Sequence, residues 1–259
     1  MNGLAKERMT GHVRVEDLDG IAAVTLSHPG KLNAMSRAMW RELLRVFTAL
    51  HAGNARCVIV RGEGGAFCAG GDISEYPAFR FEEASLRAFH EDDVWGGLQA
   101  VLDCDVPVIA QIEGACMGAG MEIASACDIR IAGESARFGA PIARLGFPMA
   151  PREAQLVARA AGELTAREML LEAAALGAAE MKQRGFLSRV VPDADVAAQA
   201  LHSARRVAAL APQAARLNKQ TLRSLGGAQG HNHAAYGYAD SAEHREGISA
   251  FLEKRQPVF

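Results

Sequence analysis

Glu122 closes the run Gly114-Ala115-Cys116-Met117-Gly118-Ala119-Gly120-Met121-Glu122, which follows the apolar stretch Val106-Pro107-Val108-Ile109-Ala110. A second glycine-rich run, Ala66-Phe67-Cys68-Ala69-Gly70-Gly71-Asp72-Ile73, follows Cys57-Val58-Ile59-Val60. Small residues let a ligand approach the backbone closely, and a turn opening into a helix leaves N–H groups without partners. Two such turns facing one pocket could hold a carbonyl oxygen between a pair of amides as it gains negative charge. One donor of this kind is typically worth ~3 kcal/mol in the transition state. Stabilising an enolate acidifies the adjoining carbon, so a single carboxylate beside it can move the proton. Burial would raise the pKa of Glu122 and the positive end of its helix would lower it, and the residues alone leave that balance open.

Other chemistries find little support. Gly62, Gly64 and Phe67 fail the dinucleotide fingerprint at its third glycine, as do Gly118, Gly120 and Ile123. Neither turn ends in the Lys-Ser/Thr of a nucleotide-triphosphate loop, and there is no Gly-x-Ser-x-Gly elbow. His231-Asn232-His233 reads as a solvated segment in preference to a metal pair, so no metal is expected. Cys68 and Cys116 lack a nearby histidine or lysine in sequence and read as small packing residues. Tyr76, Trp95, Tyr236 and Tyr238 read as core or interface residues, and Asp72 as the acid that fixes its own turn.

The elements that position these turns are legible from periodicity. Val13-Arg14-Val15 and Ile21–Leu26 flank Asp17-Leu18-Asp19-Gly20 as a hairpin. Ser36 is a candidate N-cap for a helix carrying Met39, Leu43, Val46, Phe47 and Leu50 at helical spacing. Cys57–Val60 reads as a buried strand ahead of the first turn. Residues 74–97 mix aromatics with acids and are expected to form a mobile loop and a helix reaching about Leu102. Strand, turn and helix take residues 106–126, and Asp128–Ala132 is a further strand. From about Pro151 the chain is helical, interrupted by a strand at Ser188–Val191. Beyond Asp195 only helical patterns remain, broken near Pro212 and across Gly226–Gly230.

The 259 residues, 49% hydrophobic and 22% charged, suit one large domain with a sizeable core. A net charge of -2 argues against a nucleic-acid surface. No apolar run approaches the ~20 residues of a membrane span, and Met1–Gly11 has no apolar core of a secretory signal. Five cysteines without repeated spacing point to reduced thiols and a cytoplasmic location.

Five ordered segments together resemble the enoyl-CoA hydratase/isomerase (crotonase) family: Leu32-Asn33-Ala34, Ala66–Ile73, Gly114–Glu122 with Cys127-Asp128-Ile129, Phe138-Gly139-Ala140-Pro141, and Glu246–Arg255. The likeness covers nearly the whole chain. It implies an α/β fold, a crotonase-type spiral of ββα units over residues 1–195. A C-terminal helical region for trimerisation would follow over 196–259, and the assembly would be a homotrimer or a dimer of trimers. It implies an acyl-CoA thioester as substrate, with coenzyme A entering as part of it and no separate cofactor. Carried over residue by residue, the oxyanion-hole amides are those of Gly71 and Ala119, and Glu122 falls on one of two catalytic glutamate positions. The CoA and acyl group would lie along Lys31, Leu32, Ala69, Gly70, Asp72, Ile73, Gly118, Pro141, Ile142 and Leu145. Phe251 and Lys254 would approach from the C-terminal helix, from a neighbouring subunit.

The chain departs from the pattern where the second glutamate would follow Pro141, because residue 142 is isoleucine. Isoleucine can neither hold a water nor donate a proton, which argues against an ordinary two-acid hydratase. Arg144, Arg152 and Glu153 read most simply as surface charges or helix-start residues, with Glu153 the one acid that could reach the pocket and replace the missing glutamate. Ala119 stands where a glycine is usual, and its amide can donate as long as φ is negative. Phe147–Arg152 replaces the glycine-rich stretch that lines the acyl pocket, so a different acyl specificity is expected. Three readings follow: proton transfer or hydration at an unsaturated acyl-CoA, decarboxylation of an acyl-CoA against the apolar Ile142 wall, or acyl-CoA binding without turnover.

Overall fold

The computed structural model describes residues 10–225 and 236–259. The break across Gly226–Gly230 and the pair His231 and His233 lie outside the described residues, as does most of Met1–Gly11. The elements run β1 (His12–Asp17), β2 (Ile21–Ser27), α1 (Arg37–Ala52), β3 (Cys57–Gly62), α2 (Glu83–Ala88), α3 (Trp95–Asp103), β4 (Val108–Ile112), β5 (Ala115–Met117) and α4 (Ala119–Ala126). They continue β6 (Ile129–Gly133), β7 (Arg137–Gly139), α5 (Pro151–Ala161), α6 (Glu163–Leu171), β8 (Ala175–Gly177), α7 (Ala178–Gln183), β9 (Arg189–Val191), α8 (Val196–Ala208), α9 (Pro212–Ser224) and α10 (Ala242–Glu253).

Six strands form one sheet in the order β1-β2-β3-β4-β6-β9, and three form a second in the order β5-β7-β8. The β1–β2 hairpin is antiparallel, with Val13 opposite Leu26, and every other pairing of the large sheet is parallel. Parallel strands covered on both faces need apolar residues throughout, and β2 and β4 are buried at every position. Alternation then assigns the faces: Val58 and Val60 enter the main core, whereas Cys57 and Ile59 meet Ala200 and Ala204 of α8 on the other side. The chain steps between sheets from β4 to β5 and from β6 to β7, the spiral of ββα units implied by the resemblance. The strands β5, β7 and β8 were not legible, because three residues are too few for a period of two to register. Among the described residues no helix is long and apolar enough to cross a membrane.

Ser36 caps α1, accepting the Met39 N–H at 3.2 Å, and Met39, Trp40, Leu43 and Phe47 are its buried face. The stretch 74–97, expected to hold a mobile loop, is instead helical almost throughout. A 3-10 turn (Ile73–Ala78) precedes α2, and a π-helical segment (Phe89–Val94) joins α2 to α3. The wider π turn brings Phe89, Asp93 and Val94 inward together. Phe89 stacks on Phe79 with ring centroids 4.6 Å apart. Asp93, buried, accepts Arg37 Nη2 at 2.7 Å and Arg41 Nε at 2.6 Å, which ties the π segment to α1. The polarity of the sequence here is the outer face of a packed element. Asp93→Ala is expected to lower unfolding stability by about 3 kcal/mol in a urea titration, because it strands the half-buried Arg37.

Candidate active site

Main-chain hydrogen bonds lace the two glycine turns together. Phe67 N donates to Glu113 O, Cys68 N to Ala115 O and Met117 N to Cys68 O, each at 2.8 Å. The turns therefore leave the sheet side by side. Gly70 and Gly118 take φ of 123° and 48°, where only glycine is comfortable, and a Cβ on Gly118 would lie 3.5 Å from the Gly70 Cα. A Cβ on Gly120 would stand 2.5 Å from the Cys68 carbonyl oxygen, so the start of α4 packs directly on the first turn.

The free donors follow from this lacing. Met35 N donates to Gly70 O and Asp72 N to Met35 O, both at 2.8 Å. Successive N–H groups of an extended chain point to opposite sides, so the Gly71 N–H faces away from Met35. Ala119 is the first residue of α4, where an N–H has no intrahelical acceptor, and its φ is not among the positive ones. Both Gly71 and Ala119 border one cavity of about 200 Å³. Its walls also include Ala69, Gly70, Ile73, Gly118, Glu122, Pro141, Ile142 and Leu145.

Two carboxyls reach that cavity. Glu122 is buried on α4 and its carboxyl has no hydrogen bond to the protein among the described residues. Burial first, and then the charge of Glu153, hold its pKa well above the usual carboxylate range. Burial therefore wins over the helix end. Glu153, expected at the surface, is instead 3% exposed. Pro151 opens α5 and turns residue 153 inward, where its Oε1 lies 2.8 Å from Nδ1 of His90 on the π segment. Two acids in one enclosure, one of them raised in pKa by burial and by the charge of the other, are an arrangement that can separate proton donor from acceptor.

Sequence reasoning missed several walls. Tyr76, read as core or interface, lines the cavity, and its hydroxyl lies over Gly71, 2.1 Å from where a Cβ would be. Burial pushes its pKa up to about 12. Arg80, His90, Phe89, Trp40 and Val94 also line the cavity, as do Phe147, Pro148 and Met149 from the stretch expected at the acyl pocket. A motif-based signal existed only for that last group. The others, apart from Trp40 of α1, come from a segment whose acids and aromatics resemble any amphipathic surface.

Five named residues do not line the cavity: Lys31, Leu32, Asp72, Phe251 and Lys254. Lys31 Nζ instead pairs with the buried Asp72 at 2.6 Å, and Leu32 is exposed. Asp72 also accepts Ser74 Oγ at 2.7 Å, which fixes its turn as expected. Burial pushes the Asp72 pKa up, but the bonds from Lys31 and Ser74 outweigh it and hold the group below its ordinary value. Phe251 and Lys254 are exposed on and just after α10. Cys68 and Cys116 are fully buried, and burial pushes the Cys68 thiol up to about 12, so both are packing residues.

Residues 16–259 match the family model described as enoyl-CoA hydratase/isomerase. The chain is 32% identical over 257 residues to a probable enoyl-CoA hydratase of Mycobacterium tuberculosis, spanning 95% of this chain and 97% of the relative. It is 34% identical over 255 residues to a probable enoyl-CoA hydratase of Rhodobacter capsulatus, with the same shares covered. In three dimensions it is similar to an enoyl-CoA hydratase/carnitine racemase from Magnetospirillum magneticum, with a TM-score of 0.91, 35% identity and 95% and 94% of the two chains covered. A family member from Hyphomonas neptunium gives a TM-score of 0.90 at 30% identity, with 97% and 98% covered.

Proposed function

The chain belongs to the enoyl-CoA hydratase/isomerase family, and we propose that it processes an unsaturated acyl-CoA thioester through an enolate, using two acids of which only one occupies the family position. The observation that carries this reading is a single cavity walled by both glycine turns and by two buried carboxyls, one of them raised in pKa by burial. The thioester oxygen takes the Gly71 and Ala119 N–H groups. Backbone donors suit the task because they have no rotamers to lose and need no reorganisation as charge develops. The positive end of α4 adds to the same stabilisation.

Glu122 exchanges a proton with the α-carbon. In the hydration direction its protonated carboxyl donates that proton, while Glu153, oriented by the His90 bond, accepts one from the water adding at the β-carbon. Glu153 thus takes over what isoleucine at 142 cannot do, and Ile142 becomes an apolar wall. In double-bond migration Glu122 alone carries the proton between carbons. Lys31 and Leu32 lie toward the CoA side of the first turn. Phe251 and Lys254 act on the CoA only from a neighbouring copy, in a homotrimer or dimer of trimers.

Glu153→Gln tests the division of labour. Hydration of a short α,β-unsaturated acyl-CoA is expected to fall about 100-fold, with double-bond isomerisation less affected. Removing the Glu153 charge also removes one of the two causes that raise the Glu122 pKa. Activity that needs protonated Glu122 falls as pH rises through that pKa, so the alkaline limb of the residual pH–rate profile shifts to lower pH. An unshifted limb with unchanged hydration would assign Glu153 a packing role. Carbon dioxide release from malonyl-type CoAs, without hydration, would replace the reading with decarboxylation.

A further inference from the structure

Arg80 is the group in this cavity that the proposed chemistry leaves unused. Its side chain lies in the wall between the 200 Å³ cavity holding Glu122 and a neighbouring one of about 500 Å³. The guanidinium lies in the corner between two aromatic rings set at 72° to one another, with Cζ 3.7 Å from the Phe147 centroid and 4.5 Å from that of Tyr76. Nη1 is enclosed and has no hydrogen-bond partner. Among the described residues Arg80 makes no ion pair. Neither acid of the cavity hydrogen-bonds it: Glu153 is bonded to His90 and acts on Arg80 only through its charge, and Glu122 makes no bond to it.

Arg80 is half-buried, but its enclosed Nη1 is an orphaned donor, and such donors are rare enough in folded proteins to need a reason. The two rings recover part of the cost of its enclosure as cation–π attraction and restrict where the guanidinium can go. The parallel N–H groups of a guanidinium placed in this way match the two oxygens of a carboxylate. Burial is the main force lowering the Arg80 pKa, and the charges of Tyr76 and Glu153 offset it only in part.

We propose that Arg80 receives a carboxylate carried by the acyl chain, so that the preferred substrates are CoA thioesters of short dicarboxylic acids. The inference rests on the reading of the cavity as an acyl-CoA site. Its geometry gives the reach. The Tyr76 hydroxyl stands over Gly71 and its ring lies under Arg80, so the second carboxylate sits about one tyrosine side chain from the thioester oxygen. The apolar walls Ile142 and Leu145 accommodate the methylenes between.

The test uses pairs of α,β-unsaturated acyl-CoAs of equal length, one ending in methyl and the other in carboxylate. Wild type is expected to favour the carboxylate member at least tenfold in kcat/KM, the scale of a hydrogen-bonded charge pair. Arg80→Met should bring that ratio near one, whatever it does to both rates together, and Arg80→Lys should keep part of it. Calorimetry with the saturated analogues of the same pair, on wild type, reads the preference without turnover. A wild-type ratio near one, or an unchanged ratio in Arg80→Met, overturns the proposal. Selective binding without any turnover would keep the Arg80 assignment and sink the enzymatic reading. Failure to bind either thioester would sink both.

Discussion

Glu122→Gln is expected to reduce turnover of an unsaturated acyl-CoA by about 10³-fold while changing the Kd for a saturated acyl-CoA little. General acid–base catalysis by one positioned group contributes effects of that size. Glutamine keeps the volume but cannot exchange the proton with the α-carbon. Equal rates for the two proteins would remove Glu122 from the mechanism, and turnover that depends on it excludes a pure acyl-CoA binder. A thermodynamic readout accompanies the kinetic one. The folded-state pKa of Glu122 lies above its unfolded value, because burial and the Glu153 charge penalise ionisation. Between those two pKa values the folded chain binds the extra proton, so wild type loses about 1.4 kcal/mol of stability per pH unit as pH rises. Glu122→Gln has no such loss. Its melting temperature relative to wild type should therefore climb from mildly acidic to neutral pH.

Ala119→Pro removes a single donor and is expected to lower kcat about 10² to 10³-fold. Ala119 is the first residue of α4, the position where proline is best tolerated because the missing N–H had no helical acceptor. The residue before it is Gly118, without a Cβ to collide with the ring. A preserved melting temperature with the rate loss would locate the defect in the amide. A preserved rate would show that the thioester oxygen is held elsewhere, and the proposed oxyanion pair would fall.

How much of this was legible in the chain depended on range. The glycine turns, Glu122 and the walls Ile73, Pro141, Ile142 and Leu145 could be read because each belongs to a contiguous run. The alternating faces of β3 and the capped α1 were legible for the same reason. The pairing of Glu153 with His90 was not, since they are 63 residues apart in sequence and meet only after α5 and the π segment pack. In sequence, Pro151-Arg152-Glu153 is an ordinary helix start with solvated charge, and nothing local reports that α5 turns its third residue inward. Arg80 is hidden similarly: its meaning lies in the two rings that clasp it, and Phe147 is far along the chain. The stretch 74–97 reads as a loop and a helix without a boundary between them, because the inward residues of the π segment follow neither a helical nor a strand period.

The ladder from Phe67 to Met117 that binds the glycine turns has an evolutionary corollary. The amides it aims belong to no side chain, so point mutation seldom reaches them. The distal lining, at 80, 90, 142 and 153, comes from separate elements and can change one residue at a time. Descendants of such a scaffold can exchange one metabolite for another by a few substitutions while inheriting the charge-holding step intact.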